Sequence, residues 1–74
     1  MTSNEAHCAT LLVDIPVERF RVLSEGGYAP KAGQSVVLDQ GFTGADGRPM
    51  CLAYLQDQCG TFICEVEVYE SELA

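Results

Sequence analysis

Turn-forming residues recur about every ten positions in this chain and divide it into short apolar runs. Asp46-Gly47 is the strongest of these signals, because glycine adopts a positive φ without a Cβ clash. The loop GGYAPKAGQ and the tripeptide Gln58-Cys59-Gly60 interrupt the chain in the same way. Short strands joined by tight turns are typical of a small antiparallel barrel or roll. The sequence therefore predicts an all-β, mainly antiparallel fold.

Four runs have the composition of strands: residues 9–15, 35–42, 50–57 and 60–69. In the first of them Ala9, Leu11, Val13 and Ile15 share one phase, up to the interruption at Pro16. With a fifth strand between Pro16 and the Gly-rich loop, the pattern predicts a five-stranded barrel or roll that is SH3-like in general look. That likeness concerns architecture and carries no function with it.

The fifth run, VERFRVLSE, has two interpretations. Phe20 and Val22 alternate with two arginines, which favours a strand. Pro16 behind Asp14 also suits the start of a short helix near residues 16–24, ending at the glycine pair. We favour the strand and keep the helix as the alternative.

The length of 74 residues allows one domain. We expect a flexible tail at residues 1–7, which are polar and aperiodic, and a single β domain at 8–74. A chain this short buries only about 60–65% of its unfolded surface, so its stability should be marginal unless a partner, metal or disulfide contributes. A partner subunit is therefore part of the expectation.

Eleven carboxylates against four basic residues give a net charge of −7. Binding to nucleic acid requires clustered Lys and Arg, and only Arg19 and Arg21 lie close together, so we expect no nucleic-acid partner. The same charge argues against an anionic membrane surface. The N-terminus has no positive region, and its apolar run TLLV is too short for a signal peptide, so we expect a cytoplasmic protein.

The segment FICEVEVYESEL combines a thiol with four glutamates. As a strand it places Phe62, Cys64, Val66 and Val68 on an apolar face that we assign to the core. Ile63, Glu65, Glu67 and Tyr69 fall on the opposite face. The thiol and the carboxylates then point apart, and the glutamates are best interpreted as a solvated face that discourages edge aggregation.

The four cysteines do not have the spacing of a zinc knuckle, and a site built from His7, Cys8 and Cys59 requires the tail to fold back. A turn at Asp57-Gln58 would make Cys51 and Cys64 cross-strand neighbours, within disulfide range. Buried thiols are the expected state of this pair. We expect no metal or other cofactor.

Catalysis is not expected either. The only histidine, His7, lies next to Cys8, and adjacent strand residues point to opposite faces. A phosphate-binding loop and a calcium loop are both missing from the sequence. We therefore predict a protein without catalytic residues.

Two kinds of function fit these features. The first is a non-enzymatic, self-associating interaction module that binds through a sheet edge or through the face that carries Tyr69. The alternative is an acidic inhibitor or immunity-type protein that masks a basic surface of a partner protein, and a small-ligand-binding barrel is third. The candidate interaction face is Glu65, Glu67, Tyr69, Glu70 and Glu72, with aromatic contacts at Tyr28, Phe42 and Tyr54.

Overall fold

A computed structural model of the protein describes residues 7–74 and contains one antiparallel sheet. Its five strands are β1 (His7–Thr10), β2 (Phe20–Val22), β3 (Ser35–Thr43), β4 (Pro49–Gln56) and β5 (Phe62–Tyr69). Two short 3₁₀ turns, Val17–Arg19 and Glu70–Glu72, precede β2 and follow β5. The predicted all-β class is confirmed. The predicted tail lies outside the described residues except for His7, which begins β1.

The strands lie in the order β1-β3-β4-β5-β2, and every neighbouring pair is antiparallel. Within residues 7–74 the sheet is not closed into a barrel, and β1 and β2 form its two edges. The chain end reaches back to the first edge, where Leu11 forms an isolated bridge with Leu73. Two backbone hydrogen bonds, of 3.0 and 2.9 Å, join Thr10 to Ala74 beside that bridge.

The predicted turn at Asp46-Gly47 joins β3 to β4. Gly47 has φ +84°, the conformation that glycine adopts without strain. The Asp46 carboxylate accepts a hydrogen bond of 3.1 Å from the backbone N–H of Arg48. In the next turn, the Asp57 carboxylate accepts from the N–H groups of Cys59 and Thr61, both at 2.9 Å. Both turns therefore form where local sequence predicts them, because side-chain acceptors fix them locally.

The region after Pro16 combines both sequence interpretations, since the 3₁₀ turn leads directly into β2. The first predicted strand is only partly correct. Its regular pairing ends at Thr10, Val13 is 38% exposed, and Ile15 is buried again. Irregular contacts replace the ladder here: the N–H of Ile15 donates to the carbonyl of Pro30, and the Asp14 carboxylate accepts from the N–H of Ala32.

The core lies on one face of the sheet. It contains Leu11, Ile15, Val36, Cys51, Ala53, Leu55, Ile63, Cys64, Val66 and Val68. Cys64, Val66 and Val68 are fully buried, as the alternation in β5 predicts. The predicted orientations of Phe62 and Ile63 are wrong, because Phe62 is 41% exposed and Ile63 only 4%.

A register shift explains this exchange. Leu55 pairs with Cys64, but the next residue, Gln56, pairs with Phe62, so Ile63 is an extra residue on β5. A bulge of this kind reverses the inside–outside alternation on one side of it. The condition for a contact between Cys51 and Cys64 is not met: Val68 lies opposite Cys51, because the turn spans residues 57–61 rather than closing at Asp57-Gln58.

Candidate interaction face

The face of the sheet opposite the core carries a row with one residue from each strand. In spatial order the row is Cys8, Val37, Tyr54, Glu65 and Arg21. We call the surface that contains this row the outer face. Strand alternation places these residues away from the core, and the partly exposed Leu52 lies on the same face, opposite the exposed Glu67.

Glu65 connects the centre of this row. One carboxylate oxygen accepts a hydrogen bond from the Arg21 guanidinium at 3.1 Å, and the other accepts from the Tyr54 hydroxyl at 3.3 Å. The Arg21 side chain is 73% exposed, so this ion pair contributes little to stability. Through Glu65 the pair links Arg21 to the Tyr54 hydroxyl across two strands.

Tyr54 stacks on Phe62. The ring centroids are 4.5 Å apart and the planes differ by 8°. The bulge at Ile63 creates this pair, because it turns Phe62 from the core side to the outer face. Aromatic pairs of this geometry are favourable beyond the area that they bury. The outer face therefore presents an ordered aromatic surface to solvent.

A groove of about 240 Å³ runs beside the stack, and we call it the aromatic groove. It is lined by Val37, Leu38, Asp39, Tyr54 and Phe62. Asp39 lies at a second register shift, between the pairs Leu38–Ala53 and Gln40–Leu52. The pKa of the Tyr54 phenol is raised, first by desolvation and then by the negative charges of Glu65 and Asp39.

Tyr69 lies at the other end of β5 in a separate cluster. The guanidinium carbons of Arg48 and Arg19 are 3.8 and 5.0 Å from its ring centroid. Its hydroxyl donates to the Asp46 carboxylate at 3.1 Å, and Nε of Arg48 donates to the same oxygen at 3.0 Å. Hydrogen bonds from Arg48, with a further one from Tyr69, lower the pKa of Asp46. Side chains of the protein itself thus occupy much of the surface of Tyr69.

Glu72 is held by Arg19 across 53 positions of sequence. The guanidinium donates to both carboxylate oxygens, at 2.8 and 3.0 Å, and the backbone N–H of Tyr69 donates to one of them at 2.9 Å. The hydrogen bond from Arg19 lowers the pKa of Glu72 and raises that of Arg19. Only 17% of the Glu72 side chain is exposed. Through its bonds to Arg19 and Tyr69, this residue connects the end of β5 to the turn before β2.

The structure separates the predicted interaction residues into several places. Glu65 and Tyr54 are in direct contact on the outer face. Glu67 and Glu70 are exposed, whereas Tyr69 and Glu72 belong to the arginine cluster. Two of the predicted aromatic contacts lie elsewhere: Phe42 is in the row Phe42–Met50–Tyr69, 36% exposed, and Tyr28 is in the loop after β2, 48% exposed.

Sequence reasoning missed Phe62 and Asp39 as surface residues of the groove. Both lie at register shifts, where strict alternation assigns the wrong face to a side chain. One sequence feature could have indicated that Phe62 departs from the alternation: it directly follows the Gly60-Thr61 turn, where regular pairing begins.

The thiols of Cys51 and Cys64 lie in the core, and burial raises the pKa of both. A raised pKa disfavours the thiolate, the form that reacts and binds metal. Cys8 and Cys59 are exposed. Within residues 7–74, no three His, Cys, Asp or Glu side chains come together as a metal site.

No known protein family, curated protein or solved structure matches this chain. In the part of the chain that the structure describes, no helix has the length and apolar character needed to cross a membrane. A proposal about function therefore rests on the chemistry of the outer face.

Proposed function

We propose that this protein is a non-enzymatic protein-interaction module that binds through the aromatic groove of its outer face. The observation that carries the proposal is the Tyr54–Phe62 stack, which is ordered and lies on the solvent side of the sheet. Exposed aromatic residues with a polar rim are typical of interface centres. Asp39 in the groove and Glu65, which accepts a hydrogen bond from Tyr54, supply polar groups beside the stack.

The energetics of a small domain support this proposal. Burying a Phe side chain is worth about 1.5–3 kcal/mol, a large fraction of the stability available to a chain of this size. Phe62 nevertheless remains 41% exposed, although the neighbouring Ile63 is buried. Phe62 lines the groove together with Tyr54 and Val37, and a grouped apolar surface of this kind is available to a partner.

Self-association is the first form of interaction that we propose, and it uses a second surface, the edge at β2. Among residues 7–74 this strand pairs only with β5, and Val22 and Leu23 at its end are 46% and 43% exposed. A second copy that covers this edge would bury apolar area at about 25 cal/mol per Å². Light scattering at micromolar concentration tests the proposal: a dimer or larger species is expected, and a monomer of 8.0 kDa at every concentration would contradict it.

The alternative is an acidic protein that masks a basic surface of its partner. Its support is the charge distribution: three ion pairs among the described residues involve three of the four basic side chains, while Glu67 and Glu70 remain exposed. Exposed charge pairs are screened by salt, so capture of such a partner should weaken strongly between about 50 and 500 mM salt. A cytoplasmic location stays a prediction.

The small-ligand barrel has less support. The groove of about 240 Å³ is smaller than the range of about 300–1,000 Å³ that is usual for small-molecule sites. A groove of this size is better matched to one side chain of a partner.

The central test compares three immobilised proteins in an extract of the source organism: wild type, Phe62→Ala and Val17→Ala. Val17 is 75% exposed in the first 3₁₀ turn and is not among the groove residues, so its substitution is the control. We expect wild type and Val17→Ala to retain the same proteins and Phe62→Ala to lose them. Equal retention by all three would contradict the role of the groove.

A further inference from the structure

The aromatic groove combines three kinds of wall. Tyr54 and Phe62 contribute π surface, Val37 contributes aliphatic surface, and Asp39 contributes a carboxylate. Leu38 also lines the groove, but it packs against the core. The register shift in β3 places Asp39 there, because the ladder passes from Leu38 directly to Gln40 and leaves Asp39 as the extra residue. Two bulges, one in β3 and one in β5, thus bring the aromatic, aliphatic and acidic side chains together. A sheet with strictly alternating side chains would not place them in one groove.

Two carboxylates, those of Asp39 and Glu65, lie at or beside the groove. The charges of both Asp39 and Glu65 act on the Tyr54 hydroxyl and disfavour its ionisation. The negative charge of Glu65 is balanced by its ion pair with Arg21. Asp39, by contrast, takes part in none of the ion pairs found within residues 7–74. The protein as a whole is also negative, with a net charge of −7. Anionic ligands are therefore repelled from this surface.

A ligand that matches all three walls has a positive head on an apolar stem. Arginine and lysine side chains have this form: the cationic head is attracted to aromatic faces and to carboxylates, while the methylene stem packs on apolar surface. A neutral apolar side chain would use the aliphatic walls but leave Asp39 without a partner. Charge complementarity therefore selects a cationic side chain.

We propose that the aromatic groove binds an arginine or lysine side chain presented by a partner protein. This inference rests on the proposed interaction function and names the chemistry of the partner. The head group lies against the Tyr54–Phe62 stack with Asp39 as its counter-ion, and the stem lies along Val37.

The direct test is a chemical-shift titration of the ¹⁵N-labelled protein with a short neutral-flanked peptide that contains one arginine. Concentrations up to about 10 mM are required, because contact through one side chain is weak. Two parallel peptides replace the arginine with lysine or with citrulline, which keeps the shape of arginine without its charge. We expect the arginine or lysine peptide to shift the amides of the groove residues, and citrulline to leave them in place.

Three variants locate the interaction. Phe62→Leu keeps an apolar side chain but removes the ring, and Asp39→Asn removes the counter-ion. Each should weaken binding about two- to fivefold, as expected for a partly exposed cation–π contact and its charge. Glu25→Gln removes the same formal charge from an exposed residue that does not line the groove, and should leave the affinity unchanged. The unbound spectra show whether each variant is folded, and Asp39→Asn tests the proposal even if Phe62→Leu is unfolded.

Several results would overturn the inference. These are shifts of equal size with the citrulline peptide, shifts outside the groove, no shifts with either cationic peptide, or equal weakening by Asp39→Asn and Glu25→Gln. Free arginine that binds as tightly as the peptide would overturn the assignment to a protein partner. If the peptides fail but Phe62→Ala still loses captured proteins, only the cationic assignment is wrong. If capture does not depend on Phe62 either, the proposed function is wrong as well.

Discussion

Replacement of Val66 with alanine tests which face of β5 forms the core. Val66 is fully buried, and its cross-strand partners are Ala53 on β4 and Phe20 on β2. The substitution removes two methyl groups, worth about 1.6 kcal/mol at about 0.8 kcal/mol per buried carbon. The residual cavity adds to this loss, so we expect a total of about 2–3 kcal/mol. The whole domain should have only about 4–11 kcal/mol of stability.

The measurement is urea unfolding followed by far-UV circular dichroism, with tyrosine fluorescence as a second probe of two-state behaviour. A loss of 2–3 kcal/mol corresponds to a melting temperature lower by about 8–20 °C in a domain of this size. Val17→Ala makes the same chemical change at a residue that is 75% exposed. This control should change the free energy of unfolding by less than about 0.5 kcal/mol.

The double variant Glu65→Gln, Glu67→Gln provides the comparison on the opposite face. Glu67 is exposed and the Glu65–Arg21 pair is largely solvated, so we expect a loss below about 1 kcal/mol. The reasoning would be refuted if this double variant unfolded the domain while Val66→Ala had no effect. The register of β5 would then be wrong by one residue, and every side chain would change face.

Four further predictions follow from the structure. Glu72→Gln should cost about 1–3 kcal/mol at neutral pH, because it replaces a charge-assisted bond to Arg19. The folded-state pKa of Glu72 is lowered, so this stabilisation is fully present above the unfolded pKa of about 4.3 and is lost as the pH falls through the folded pKa. In acid, wild type and variant should therefore show the same free energy of unfolding in urea. Gly27→Ala should destabilise by about 1–3 kcal/mol, because its Cβ would meet the carbonyl oxygen of Ile63, whereas Gly26→Ala has open space and should be nearly neutral in the same assay. In the native protein a thiol reagent should react quickly with the exposed Cys8 and Cys59 and slowly with the buried Cys51 and Cys64. Equal rates for all four cysteines would contradict the assigned burial. Metal analysis should find no stoichiometric zinc, and bound zinc with a melting temperature lowered by a chelator would contradict this.

The sequence by itself determined the features that depend on neighbouring residues. Asp46-Gly47 and Asp57 with Gly60 form their turns because a side-chain acceptor and a glycine at positive φ act within a few positions. The alternation of side chains along β5 was sufficient to predict that Cys64, Val66 and Val68 are buried, because a regular strand has only two faces. The all-β class follows from these short-range signals.

Only the tertiary structure decided which strands are neighbours and where their registers shift. The pairing of Gln56 with Phe62 depends on how β4 and β5 fit over a shared core, and a single extra residue there moves Phe62 to the outer face. Asp39 reaches the groove through an equivalent shift in β3. Arg19 and Glu72 meet across 53 positions because β2 pairs with β5 at the edge of the sheet. Contacts of this kind are chosen by the packing of the whole chain, and no local pattern of residues specifies them.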